Sequence, residues 1–173
     1  MTAFPSGLQH DVPAGAITLL DPRWSWLADT AARYTQSNNV WPAANRALFL
    51  PFMVPSALTA RRMLFQAPNA SGNVDVGIYE SDGALIVSSG STPHASGLNN
   101  IDITDTLLDR GIYYAAIAID NTTAQVVGST GPPAVQFRVG GMKQASTSFP
   151  LPASPTFEAV ASNVFPALAI GLV

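Results

Sequence analysis

From Leu48 onward the chain falls into short runs in which hydrophobic residues return at every second position. Leu48, Leu50, Phe52 and Val54 alternate with their neighbours, as do Val74, Val76 and Ile78; Val135, Phe137 and Val139 alternate with Gln136 and Arg138. A period of two places such residues on one face of an extended strand, so these runs predict strands that share a core between two antiparallel sheets. Pro51 has no amide hydrogen to give to a ladder, which predicts an edge or a bulge for its strand. The stretch GNVDVGIYESDGALIVSSG at 72–90 predicts a complete β-hairpin, with strands over 73–81 and 84–89. The turn falls at Asp82-Gly83, where glycine readily takes positive φ. Further strands are predicted over 61–67 and around Ile101 and Ile103.

The run IYYAAIAI at 112–119 has no polar face. That predicts a central strand covered on both sides, its aromatic and β-branched ends outweighing the alanines. VFPALAIGLV at 164–173 predicts a buried closing strand, being ten residues long and interrupted by Pro166, too short to span a bilayer. Short strands separated by Gly, Pro, Asn and Ser imply an all-β antiparallel sandwich or barrel.

The first 44 residues differ in character. Asp21-Pro22 ahead of RWSWLADTAARY resembles a helix start, Asp capping free amides and Pro fitting the first helical position. Trp24, Leu27, Ala28 and Ala31 would share a face of that short helix; an extended arm is the alternative. The expected organisation is an N-terminal docking arm over 1–44 and a β-sandwich over 45–173. Trp24, Trp26, Tyr34 and Trp41 cluster in the arm and are its expected partner-binding residues. Such rings can anchor an arm to its own sandwich or to a neighbouring subunit, because aromatic anchors dominate interface energetics. A sugar-stacking platform is the competing use.

Composition adds the surface. Hydrophobic residues make up 47% and charged residues 11%, so much of the exterior is neutral or apolar and expects a neighbour. A net charge of -3 with no basic stripe argues against nucleic acid. The absence of cysteine excludes a disulfide framework and a thiolate zinc site. The N-terminus lacks the basic and apolar regions of a secretory signal.

Chemistry is sparse. His10 and His94 lie far apart in polar, loop-like context, with no acid at metal or triad spacing. Asp102, Asp105 and Asp109 follow Asn99 and Asn100 but lack the calcium-loop pattern, and they read as ordinary turn residues. Glu80 and Glu158 are the only glutamates, and nothing in the sequence brings them together as a carboxylate pair. No catalytic residue, cofactor or metal is therefore assigned.

Certain segments resemble a jelly-roll domain of tailed-bacteriophage virion proteins, chiefly tail-associated ones. They are ALFLPFMVP at 47–55, NVDVGIYESDGALIVSSG at 73–90 and LLDRGIYYAAIAID at 107–120, joined by FPLPA at 149–153 and the closing FPALAIGL. The resemblance begins at Asn45 and implies a jelly-roll sandwich in a non-enzymatic virion component, made in the host cytoplasm. It implies a tail or fibre protein or a capsid decoration (cement) protein that assembles through its arm and sheet edges. The expected partners are other virion proteins and copies of itself, a trimer by analogy with phage adhesins, with no membrane insertion. A carbohydrate-binding module for host-surface glycan is the alternative. The chain lacks the long fibrous extension of a full tail fibre, which favours a small accessory subunit.

Overall fold

The computed structural model describes residues 37–134 and 141–171. Within them the regular structure is almost wholly strand: β1 Ser37–Val40, β2 Arg46–Val54, β3 Leu58–Ala67, β4 Asn73–Glu80, β5 Leu85–Ser88, β6 Thr92–Pro93, β7 Gly97–Leu108, β8 Gly111–Ile119, β9 Gln125–Thr130, β10 Lys143–Ala145, β11 Glu158–Ala159, β12 Val164–Pro166 and β13 Leu168–Gly171. The largest sheet has the order β11-β10-β2-β8-β4-β5, with β6 also paired to β4. Two three-stranded sheets, β1-β9-β12 and β13-β3-β7, complete an all-β architecture consistent with a sandwich.

The two-residue period explains which side chains meet. Leu48, Leu50, Phe52 and Val54 of β2 share one core with Val74, Val76 and Ile78 of β4 and with Ala115, Ile117 and Ile119 of β8. Met63 and Phe65 of β3, Val126 of β9 and Ile170 of β13 close that core from the smaller sheets. The alternation expected for 48–54 and 74–78 is thus present, whereas Val135, Phe137 and Val139 lie outside the described residues.

Strand β8 lies between β2 and β4, in a register that aligns Leu48, Ile117 and Val76. Its other face is also covered. Ala47, Phe49, Tyr79, Ala116, Ala118, Ala145 and Leu151 form a second core on the outer side of the large sheet. The alanines, weak strand formers, leave a shallow trough there. The segment 146–157 lies along it as a strap, contributing Phe149, Leu151 and Phe157.

Four expectations change. Strand β2 is interior, but β10 pairs only Ala47, Leu48 and Phe49, so Pro51 lies beyond that partner and its missing amide interrupts no described ladder. The expected closing strand divides in two: β12 pairs with β9 and β13 with β3, so the chain changes sheet at Ala167. Strand β7 spans 12 residues and far exceeds the Ile101-Ile103 signal, because the outward positions beside those two residues, Asn100, Asp102 and Thr104, are polar. Finally, β1 pairs with β9 along its length, so the sandwich includes residues ahead of the expected boundary at Asn45. The helix expected after Asp21-Pro22 lies outside the described residues.

Candidate functional site

The hairpin turn forms as the sequence implies. Gly83 has φ +99° and donates its amide to the Glu80 carbonyl at 3.0 Å, while Ala84 donates to Asp82 Oδ1 at 3.0 Å. The hairpin then serves as the bed for the strap. The Leu151 amide donates to Asp75 Oδ2 at 2.9 Å, the Tyr79 hydroxyl donates to the Pro152 carbonyl at 2.7 Å, and the Leu85 amide donates to the Ala153 carbonyl at 2.9 Å. Phe49 meets Tyr79 and Phe157 edge-on, with ring centroids 5.2 and 5.0 Å apart.

Asp75 is completely buried beneath this strap. Burial pushes its carboxyl above the usual carboxylate range, and the bonds from the Leu151 amide and the Ser89 hydroxyl only partly offset that. Burial, and then the charge of Asp75, push the Tyr79 phenol well above its ordinary value. Asp75 Oδ1 also accepts the Ser89 hydroxyl at 3.2 Å, and Ser89 in turn borders an open groove. The geometry of Asp75 and Tyr79 fastens the strap to the sheet.

A second polar constellation occupies one end of the sandwich. The β3–β4 connection meets the β8–β9 connection: Asn69 Nδ2 donates to the Thr123 carbonyl at 2.8 Å, and Asn69 Oδ1 accepts the Gln125 amide at 2.9 Å. Asn121 Oδ1 accepts the Thr123 and Ala124 amides, each at 2.9 Å, while its Nδ2 donates to the Ser71 carbonyl at 3.1 Å. Asp120 accepts both the amide and the side chain of Asn73, at 3.0 and 2.9 Å. Burial alone would raise the Asp120 carboxyl, but the bonds from Asn73 and Asn121 together outweigh it and hold the group below its usual range.

His94 packs into this end rather than standing in an open loop. It is 3% exposed and stacks on Phe65 with ring centroids 5.8 Å apart. Its Nδ1 accepts the Ser71 backbone amide at 3.3 Å. The Ser71 hydroxyl instead meets Asn121 Oδ1 and Thr123 Oγ1, so histidine and serine do not form a base and nucleophile pair. Burial lowers the His94 imidazole below its ordinary range despite the nearby Gln125 carbonyl and Asp120 charge. Nε2 is buried without a hydrogen bond of good geometry. His10 lies outside the described residues.

The acids singled out in the sequence stay apart or pair with cations. Asp102 and Asp105 lie on β7 rather than in turns, and bond Arg62 and Arg61 at 3.1 and 3.3 Å on the exposed outer face. A bulge between Ala60 and Arg62 turns both arginines outward. Asp109 lies after β7, where its carbonyl accepts the Tyr113 hydroxyl at 3.0 Å. Among the described residues no three His, Cys, Asp or Glu side chains converge as a metal site. Glu158 on β11 accepts from Ser146 Oγ at 3.0 Å, and Glu80 ends β4. Strands β10, β2 and β8 separate them, four spacings or about 19 Å, well beyond the roughly 5 to 9.5 Å between glycosidase carboxylates.

Of the arm aromatics, Trp24, Trp26 and Tyr34 lie outside the described residues. Trp41 is 1% exposed within the main core, its amide donating to the Ala124 carbonyl at 2.8 Å and its Nε1 to the Arg46 carbonyl at 3.2 Å. That ring therefore anchors its own sandwich. The large hydrophobics exposed among the described residues, Val40, Leu98, Leu107 and Ile112, include no aromatic. An open groove of about 450 Å³ runs between the β5–β6 connection and β7, lined by Ser89, Thr92, Leu98, Asn100 and Asp102 among others. Sequence reasoning missed Asp75 because a V-D-V alternation reads as a solvent-facing acid, and missed the strap because FPLPA has no strand or helix period. Compared with family models, with curated proteins and with solved structures, the chain matches none of them.

Proposed function

We propose that this chain is a non-enzymatic structural subunit of a bacteriophage virion, tail-associated, built on a jelly-roll sandwich. One observation supports this above the rest: four of the five segments that carry the resemblance are contiguous in space, while the closing FPALAIGL lies apart on β12 and β13. Segment 47–55 contains most of β2, 73–90 contains the β4–β5 hairpin and 107–120 contains β8; these strands lie side by side as β2-β8-β4-β5. Segment 149–153 is the strap fastened across their outer face. Together they form a plate buried on both sides, suited to displaying edges and loops rather than to turning over a substrate. With only 11% charged residues, the exterior suits neighbouring subunits. The docking elements are the segment ahead of β1, residues 1–36, with Trp24 and Trp26, and the open sheet edges; the partners are other virion proteins and copies of this chain, as a trimer.

Attachment to host glycan ranks second and rests on the open polar groove beside β7. The described residues place no exposed aromatic platform there, which a sugar module usually supplies. The test is to purify particles from an infected or induced culture of the source strain. The chain should co-purify with particles at a fixed copy number and be located on the tail by labelled antibody. Recovery only in the soluble lysate refutes the virion reading. Labelling on the head assigns a decoration role instead, and glycan-array binding abolished by changes at Asn100 and Asp102 favours the second reading.

A further inference from the structure

Neither reading uses the most constrained titratable group at the polar end. We infer that His94 is an acid-sensitive latch: protonation makes Nδ1 a donor, forces it to give up the Ser71 amide, and loosens the β3–β4 connection from the β6–β7 connection that carries His94. The geometry supports each step. The Ser71 amide points at Nδ1 at 3.3 Å, so this nitrogen is the unprotonated acceptor. A proton there sets two donors face to face in a site that is almost fully buried and closed on one side by Phe65. Nε2 lacks a well-made bond that would secure the charged ring.

The consequence spreads because Ser71 is itself a hub. Its hydroxyl holds Asn121 and Thr123, its carbonyl accepts Asn121 Nδ2, and the neighbouring Gly72 carbonyl accepts the His94 amide at 3.0 Å. Asn121 in turn orders the Thr123 and Ala124 amides, and the Ala124 carbonyl accepts the Trp41 amide. Opening the latch therefore loosens the point at which β1 leads into the sandwich.

The charges around the ring do not rescue its protonated form. Asp120 attracts it, but that carboxylate is already committed to Asn73 and Asn121. On the flanking β3 and β7, Arg62 and Asp102 pair with each other, as do Arg61 and Asp105. Burial is the larger influence and keeps the imidazole neutral. Because the folded form binds the proton less readily than the unfolded one, the stabilisation is complete above the ordinary histidine range. It is lost as pH falls through that range toward the folded value.

The test uses the full chain labelled with ¹⁵N and ¹³C. The His94 ring and the Ser71, Asn73 and Ala124 amides are followed from pH 8 to pH 4.5, with hydrogen exchange corrected for its intrinsic pH dependence. Ring and amides should shift with one common midpoint below the ordinary imidazole value. Amide protection should fall about tenfold for each unit of that depression. His94→Gln should abolish the step, and His10→Gln should leave it. An ordinary His94 midpoint, or a Ser71 amide indifferent to the titration, overturns the inference. Should His94→Gln fail to fold, the native-chain titration decides alone.

Discussion

Replacing Phe49 by alanine separates a sheet covered on both faces from one with a wet outer side. Phe49 is fully buried yet points away from the main core, into the trough closed by the strap. Truncating a buried Phe costs about 3 to 5 kcal/mol, from lost transfer free energy plus the cavity left behind. The two edge-on contacts with Tyr79 and Phe157 favour the upper half, since such pairs add about 0.5 to 1.5 kcal/mol each. In a chain of this size about 1 kcal/mol shifts the midpoint by roughly 2 to 4 °C, so Tm should fall by about 8 to 20 °C. Urea unfolding followed by near-UV circular dichroism should give a lower midpoint with an unchanged slope, and the strap should become cleavable by protease in the folded variant. A surface phenylalanine would cost about 0.5 kcal/mol or less. A Tm change under about 2 °C with the strap still protected would refute the two-sided burial.

Asp75→Asn should stabilise the chain relative to wild type more at pH 7 than at pH 3.5. The folded carboxyl is raised, so the wild-type contribution is full below the ordinary aspartate value and lost as pH rises through the folded one; a pH-independent difference in Tm counts against this. Gly77→Ala would place a Cβ 2.6 Å from the Val87 carbonyl oxygen and 3.0 Å from Leu151 Cδ1, and should cost about 1 to 3 kcal/mol in urea unfolding; a neutral outcome would mean that the hairpin and strap are less closely packed than described. Deleting residues 1–36 should leave a folded sandwich that no longer joins the particle, whereas deletion through Trp41 should cost about 3 to 5 kcal/mol more; equal stability of the two truncations would contradict the buried placement of Trp41.

The elements that sequence made legible are those whose neighbours in space are regular. Strands β2 and β4 each pair with β8 along most of their length over the main core, so one face of all three must be apolar at every second residue, and in β8 the other face is covered as well. Strand β7 is an edge among the described residues, pairing only with β3, and its outward Asn100, Asp102 and Thr104 dilute the pattern. Strands β6, β10 and β11 are two or three residues long and show no period at all. Burial of Asp75 and His94 was illegible for another reason. It depends on Leu151, Ser71 and Phe65, which are distant in sequence and brought together only by the fold.

The change of sheet at Ala167 has a consequence for how the chain is made. Strand β13 completes its sheet on β3, with Leu168 opposite Phe65, and β12 completes another on β9. Both partners leave the ribosome long before residues 164–171 do, so the main core remains open while the middle of the chain is being synthesised. Contacts this distant in sequence are slow to form, because loop closure precedes any gain from pairing. A nascent chain halted before Val164 would present Met63, Phe65 and Val126 to the cytosol, attracting chaperones and proteases. Completion of those few residues thus acts as a checkpoint, closing the core only once the last described strands have paired.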